Sequence, residues 1–252
     1  MPTRKLALLT HLGLGDMLVC RGMVGALCEQ WDEVAVVCCR KYLGTLTTLF
    51  EDLGPRVKLV PVEEAHAISP AFGAGPGRLA ALEAMGYRLM LLGYHSGGGG
   101  WRDLDERWAR ALYRQAGLDP GLIAAGFVVP RGREAQARRM AERARQIAGG
   151  RRIVVVHDDP SRSQILSRPA LGDDCVVLHV DDPRIRSDNL FDYVDLLAAA
   201  DHLHAVESCF ALLVDLAGLG TPMTIHAYAR DPEAVLQYER ASATVLRQPP
   251  HI

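Results

Sequence analysis

Three short stretches of the sequence combine residue types that can do chemistry. The first is Gly13-Leu14-Gly15-Asp16, where two glycines precede a carboxylate directly behind the apolar run 6–9. Gly13 and Gly15 would let a ligand approach the backbone, and a helix start would keep the carboxylate ionised. Asp16 is therefore either a general base for a substrate hydroxyl or a residue that caps the helix. The stretch itself leaves both interpretations open.

The same stretch departs from a dinucleotide-binding fingerprint. That motif requires Gly-x-Gly-x-x-Gly, and Leu18 replaces the third glycine. Arg40 and Lys41 stand where the second strand should end in an acidic residue for the ribose hydroxyls. We therefore expect no NAD and no other cofactor, and an NADP site that uses Arg40 is the last of the alternatives.

The second stretch runs from His157 to Arg162 and follows a strongly apolar run. The planar guanidinium of Arg162 suits a diphosphate, and His157 and Asp158 would lie beside it. An ion pair between Arg162 and a loop aspartate is the structural alternative. Adjacent side chains diverge and Pro160 stiffens the turn, so the pair Asp158-Asp159 predicts no metal site.

The third stretch runs from Glu207 to Phe210, between a strand and a helix. Ser208 is a natural N-cap, and the free amides of Ser208, Cys209 and Phe210 would form an anion site. Capping alone would explain Ser208. Glu207 could accept hydrogen bonds from ribose hydroxyls or orient an arginine. By their position at the end of another strand, His179 and Asp181 would line a nucleoside pocket together with Glu207.

Alternating strands and helices must position these stretches. Apolar runs predict strands at 5–10, 33–39, 57–60, 88–93, 153–157, 175–180, 202–206 and 222–227. Helical periodicity appears at 16–30, 41–53, 103–116, 131–148, 190–200 and 209–218. Strands that are apolar on both faces and separated by helices indicate parallel sheets covered on both sides. Ligands bind such sheets at the carboxyl ends of the strands, where all three stretches fall.

The Gly- and Pro-punctuated stretch 116–132 divides the eight predicted strands into four and four. We therefore predict an α/β protein of two Rossmann-like halves, 1–122 and 123–252, that face each other across a cleft. The hinge would lie within 116–132. The loop Gly97–Gly100 follows the fourth strand and is either a mobile lid or a plain linker.

Composition excludes several classes of protein. The 252 residues carry a net charge of −2, which gives no electrostatic footprint for nucleic acid, and no apolar run is long enough to span a membrane. The six cysteines form no CxxC pair and predict buried free thiols in a reducing cytoplasm. The basic segment 131–148 is interpreted as a solvated helix with Ala, Met and Ile on its inner face.

The first and third stretches resemble bacterial GT-B-type glycosyltransferases, especially the heptosyltransferase-like superfamily. HLGLGDMLVCRGMVGAL is similar to their opening strand, Gly-x-Gly-Asp turn and helix. AVESCFALLVDLAGLGTPMTIHAY is similar to their acidic/Ser turn, helix and Gly-Thr-Pro strand, although the His of heptosyltransferases is missing within 210–213. The HDDPSR turn resembles smaller glycosyltransferase-like proteins of surface polysaccharide loci.

The resemblance implies a metal-independent, inverting glycosyltransferase of the hexosyl or heptosyl type. It would move a sugar from a nucleotide-sugar to a glycan precursor or lipid-linked acceptor, with peripheral membrane association. Asp16 would be the base, in an acceptor-binding half. Arg162 and the amides at 208–210 would hold the diphosphate in the other half. The alternatives are a two-Rossmann epimerase with Asp103 or Asp105 as a second carboxylate, and a non-catalytic nucleotide-sugar binding protein.

Overall fold

The computed structural model describes residues 3–63, 76–93, 108–160, 163–166, 172–229 and 243–248. The chain forms two compact units, Met1–Pro130 and Arg131–Ile252. Each unit contains its own parallel β-sheet with helices, and the two sheets share no strand. The predicted α/β class with a separate sheet in each part of the chain is therefore confirmed.

The first unit has a four-stranded sheet in the order β3-β2-β1-β4. Its strands are β1 (Lys5–Leu9), β2 (Glu33–Cys39), β3 (Val57–Val62) and β4 (Tyr87–Leu91). The chain leaves β1 towards β2 on one side, and β4 returns to pair with β1 on the other side. The strand order therefore reverses between β1 and β4, which makes the carboxyl ends of these two strands the switch point of the sheet. Open α/β sheets bind ligands at such a switch point.

Six α-helices are described in the first unit. They are α1 (Leu14–Val19), α2 (Arg21–Gln30), α3 (Leu43–Leu49), α4 (Pro76–Ala84), α5 (Trp108–Gln115) and α6 (Leu122–Ala125). The buried hydroxyl of Tyr113 on α5 donates to the Val19 carbonyl and accepts from the Met23 amide, both at 2.8 Å. Helix α5 is thereby fixed to the junction of α1 and α2, next to the glycine stretch.

Helix α6 packs backbone to backbone against α2. A Cβ at Gly22 would lie 2.1 Å from the Leu122 carbonyl oxygen, and one at Gly126 would lie 2.5 Å from the Gly22 Cα. Both positions therefore require glycine. These contacts attach α6 to the first unit, which extends to Pro130.

The second unit has a five-stranded sheet in the order β6-β5-β7-β8-β9. Its strands are β5 (Arg152–His157), β6 (Cys175–His179), β7 (His202–Ala205), β8 (Met223–His226) and β9 (Ala243–Leu246). The helices described are α7 (Glu134–Ala148), α8 (Val194–Ala199) and α9 (Cys209–Ala217). The switch point lies between the carboxyl ends of β5 and β7.

One face of this second sheet carries a row of histidines. His204 Nδ1 and His226 Nε2 share a hydrogen bond of 3.0 Å, and His226 Nδ1 shares another of 3.0 Å with the Tyr228 hydroxyl. His202 Nε2 lies 2.8 Å from Thr224 Oγ1. Burial lowers the pKa of all three imidazoles, that of His204 to about 4.

The eight predicted strands are all present, while β9, α4 and α6 were not predicted. The predicted helix 16–30 is interrupted at Cys20, where α1 ends and α2 begins. Of the predicted helix 103–116, residues 108–115 form α5, and 103–107 lie outside the described residues. Within the described ranges, no helix is long and apolar enough to cross a membrane.

Candidate functional site

The glycine stretch turns the chain from β1 into α1 at the switch point of the first sheet. Gly13 is the N-cap residue of α1, and Gly15 and Asp16 are the second and third residues of that helix. The half-buried Asp16 accepts a hydrogen bond at Oδ2 from the Gly13 amide at 3.2 Å. This bond is one half of a capping box, so Asp16 does stabilise the helix start.

The position of the Asp16 carboxylate depends on Gly13. A Cβ at Gly13 would lie 2.5 Å from Asp16 Oδ2, well inside van der Waals contact. Glycine therefore lets the carboxylate fold back onto the backbone of the turn. The capping bond also fixes the carboxylate, which is what a general base needs.

Sequence reasoning missed two aromatic residues beside this turn. His11, two residues after β1, stacks on Trp108 with ring centroids 5.4 Å apart and an interplanar angle of 14°. A Cβ at Gly93, which has φ +67°, would lie 2.5 Å from His11 Nε2. The residues that follow β1 and β4 therefore meet at the start of α5. The place of His11 directly after a predicted strand was the available signal.

The structure brings the second and third stretches together at the carboxyl edge of the second sheet. The His157 carbonyl accepts a hydrogen bond from the Val206 amide at 3.0 Å, which aligns the ends of β5 and β7. The His157 ring packs on Phe210 with centroids 4.6 Å apart. Phe210 in turn contacts Tyr193 edge to face at 5.1 Å. His157 and Phe210, 53 positions apart in the sequence, thus share one packed cluster.

Two buried polar atoms at this edge of the second sheet have no hydrogen-bond partner in the described part of the chain. They are Nδ1 of His157 and Oγ of Ser208. Burial lowers the pKa of His157 to about 4, although the carboxylates of Asp159, Asp158 and Asp181 act in the opposite direction. His157 is therefore a neutral imidazole near pH 7, able to donate one hydrogen bond and accept one.

Capping, the structural explanation for Ser208, does not account for its hydroxyl. Ser208 occupies the N-cap position of α9 with extended backbone (φ −152°, ψ 169°), yet its side chain makes no capping bond. By contrast, Asn189 Oδ1 accepts a hydrogen bond from the Phe191 amide at 3.0 Å. The Phe210 amide belongs to the first turn of α9, where backbone N–H groups receive no bond from within the helix.

Other predicted site residues lie on the same edge. His179 ends β6, and its Nδ1 lies 3.8 Å from Oδ1 of the nearly buried Asp158. Asp181 is close enough to act on the pKa of His157. Glu207 is half-buried between β7 and α9. Three carboxylates, those of Asp158, Asp159 and Asp181, therefore lie close enough to the His157 imidazole to act on its pKa.

Several predicted residues lie outside the described part of the chain. They are Arg162, the loop Gly97–Gly100, and Asp103 and Asp105. Asp159 and Gln164, which flank the Arg162 region, pair with each other through backbone bonds of 2.8 and 3.0 Å. The role of Arg162 at a diphosphate therefore stays a prediction.

The described side chains do not favour NADP binding, thiol chemistry or a metal site. Arg40, the residue of the NADP alternative, donates through Nε to the Glu63 carboxylate. Burial raises the pKa of the Cys20 thiol to about 12 and that of Cys38 to about 11, so neither forms a reactive thiolate. Across the described ranges, no three His, Cys, Asp or Glu side chains are arranged to hold a metal ion.

Comparison with known proteins gives matches in structure but not in sequence. No protein-family model matches the chain, and no curated protein matches it. A family 9 glycosyl transferase from Veillonella parvula DSM 2008 is similar at a TM-score of 0.56 and 10% identity, over 98% of this chain and 87% of that one. The ADP-heptose LPS heptosyltransferase II of E. coli is similar at 0.50 and 14% identity, over 96% and 90% of the chains. The chain therefore has the fold of these two glycosyltransferases.

Proposed function

We propose that this protein is a glycosyltransferase that binds a nucleotide-sugar through its second unit and carries its catalytic base in its first. The observation that carries the proposal is the pair of buried polar atoms, His157 Nδ1 and Ser208 Oγ, beside the N-terminus of α9. A buried polar group without a partner costs on the order of 1–3 kcal/mol. A ligand with several acceptor oxygens would satisfy both atoms.

The chemistry around α9 suits a diphosphate. The helix has nine residues, and its first-turn amides and positive dipole end attract an anion. The Ser208 hydroxyl and the neutral His157 imidazole would each donate to a phosphate oxygen. The carboxylates of Asp158, Asp181 and Glu207 would repel phosphate, so we assign them to hydroxyl groups of the ribose or the transferred sugar. Arg162 would supply positive charge to the diphosphate.

The proposed reaction places Asp16 as general base. Its carboxylate takes the proton of an acceptor hydroxyl, and the oxygen attacks the anomeric carbon of the donor. The bond between that carbon and the diphosphate oxygen breaks, and the nucleoside diphosphate leaves with the electron pair. The first-turn amides of α9 and the Ser208 hydroxyl stabilise the charge that develops on it, in place of a metal ion. The sugar is transferred with inversion, and we place the reaction in the cytoplasm on a glycan precursor or lipid-linked acceptor.

The test is binding of nucleoside diphosphates with a chelator present. We expect one of UDP, ADP, GDP or CDP to raise the melting temperature, since a ligand at a hundred times its Kd stabilises by about 2.7 kcal/mol. The His157→Phe substitution keeps an aromatic ring beside Phe210 and removes both ring nitrogens, Nδ1 among them, so it should raise the Kd roughly tenfold, in keeping with the net value of one hydrogen bond.

The Arg56→Ala substitution removes a side chain whose described bond is to the Cys28 carbonyl in the first unit, and it should leave this Kd unchanged. The proposal fails if no nucleoside diphosphate stabilises the protein, or if binding requires added Mg²⁺ or Mn²⁺. Release of the nucleoside diphosphate from a bound nucleotide-sugar then separates a transferase from a protein that only binds.

A further inference from the structure

Helix α7 and its flanking residues concentrate positive charge that the proposed function does not use. Residues 131–152 contain eight arginines and two glutamates, a formal charge of +6. The whole chain carries −2, so the remaining residues together carry −8. Charge in this protein is thus strongly segregated into one short segment.

The packing of α7 directs these arginines to solvent. Its inner face is a row of buried alanines, Ala137, Ala141, Ala144 and Ala148. Seven arginines of the segment are exposed, and six of them are in no ion pair within the described ranges: Arg131, Arg138, Arg139, Arg143, Arg145 and Arg151. The other two are paired, Arg133 with Asp192 at 2.6 Å and Arg152 with Asp174 at 2.7 Å.

These six exposed arginines form no ion pair with any residue in the described ranges. Glu134 and Glu142 lie four residues from Arg138 on either side, yet neither forms an ion pair with it there. Arg139 and Arg143 are themselves four residues apart, and like charges at that spacing destabilise a helix. The protein therefore maintains an unneutralised cationic face at a cost to the helix.

We propose that the outer face of α7 docks on an anionic phospholipid bilayer. A helix of 15 residues presents a convex strip about 22 Å long, which fits a plane of headgroups. Each exposed guanidinium can bind a phosphate through two parallel hydrogen bonds. Basic residues close to such a surface are attracted by its negative potential. This proposal does not depend on the proposed reaction.

Nucleic acid fits this face less well. Single strands bind through stacking on aromatic side chains, and residues 131–152 contain no Phe, Trp or Tyr. The charge of −8 on the rest of the chain would repel a long polyanion that extends beyond α7. If the protein approaches a bilayer with the outer face of α7, the headgroups contact this cationic strip.

The experiment is co-sedimentation of the purified protein with lipid vesicles. We expect binding to vesicles of phosphatidylcholine with phosphatidylglycerol at 50 mM salt, no binding to pure phosphatidylcholine, and release at about 500 mM salt because salt screens exposed charges. The R139E/R143E variant should weaken binding on the order of 25-fold or more, at about fivefold for each lost basic residue.

The matched control is K58E/R88E, which makes the same charge change at two exposed residues of the first unit. It should bind the anionic vesicles like the unaltered protein. Equal weakening by both variants, no binding to anionic vesicles, or binding to nucleic acid in its place would each overturn the proposal.

Discussion

Gly13 carries a hydrogen atom where any other residue would carry a Cβ, and that Cβ would lie too close to the Asp16 carboxylate. The sequence predicted this turn and the helix behind it, because Gly-x-Gly-Asp after an apolar run leaves few other structures. It could not show that Asp16 bonds to the Gly13 amide at 3.2 Å, since capping and catalysis require the same residue at the same place. It could not find the His11–Trp108 stack either, because that contact joins residues 97 positions apart.

Substituting Asp16 by Asn separates the two roles. The Asn side-chain oxygen can still accept from the Gly13 amide, so the melting temperature should change little. If Asp16 removes the acceptor proton, turnover should fall by roughly 10²–10⁴-fold. Turnover and melting temperature are measured on the same preparation. Full activity of Asp16→Asn would contradict the catalytic role. Loss of activity that is explained by a lower melting temperature would show that Asp16 only stabilises the turn.

Among the elements, α9 and the 3₁₀ turn before α8 begin with similar sequence signals and different structures. Ser208 and Asn189 both sit at N-cap positions, but only the Asn189 side chain makes the capping bond. Residue type alone predicts a cap at both places. The central strands β1, β2 and β5 were predictable because their residues are apolar on both faces. Two of the three elements that were not predicted have a physical cause: β9 is half-exposed at the edge of its sheet, and α6, with four residues, is too short to show helical periodicity.

We predict that Asn189→Ala lowers the free energy of unfolding by about 1 kcal/mol, the usual effect of removing an N-cap side chain. Ser208→Ala should cost less than this or stabilise the protein slightly, because it removes a buried hydroxyl without a described partner. Only Ser208→Ala should weaken nucleoside diphosphate binding. Denaturant unfolding of the two variants provides the comparison, and a Ser208→Ala variant as unstable as Asn189→Ala would show that the hydroxyl caps the helix after all.

Over the whole molecule, two parallel sheets with switch points at β1/β4 and β5/β7 place the described candidate residues at the carboxyl edges of their sheets. Strand periodicity and the four-plus-four division of the chain were sufficient to predict this architecture. The histidine row of the second sheet was not predicted, because alternate histidines on a strand look like any polar face until the neighbouring strand is known. Three imidazoles whose pKa burial lowers, one fully buried and two half-buried, make the stability of the protein depend on pH.

We predict that the protein loses stability as pH falls from 6.5 towards 4. Burial holds the pKa of His204 and of His157 near 4 in the folded state, whereas unfolded histidine takes a proton near 6.5. The unfolded state therefore binds more protons in this window, and acid favours it by up to about 1.4 kcal/mol per pH unit for each histidine, less for the partly exposed His204.

Denaturant unfolding at pH 7, 6 and 5 measures how steeply the free energy of unfolding changes with pH. Asp182, whose pKa the Arg184 guanidinium lowers to about 2, stays ionised throughout that range and does not contribute. Glutamine at position 204 keeps a hydrogen-bonding side chain beside His226 but does not titrate, so His204→Gln should reduce the slope. An unchanged slope in this variant would show that His204 is not one of the titrating groups.

The contact between Gly22 and the backbone at Leu122 and Gly126 also determines where the polypeptide can be divided. A fragment that ends before α6 would lose the Leu122 backbone that packs on α2 at Gly22, and glycine has no side chain that could cover the surface left exposed. A fragment that continues to Pro130 keeps this cover. The residues from Leu122 to Pro130 therefore belong to the first unit. If the two units are expressed separately, the chain should be divided after Pro130 and not before α6.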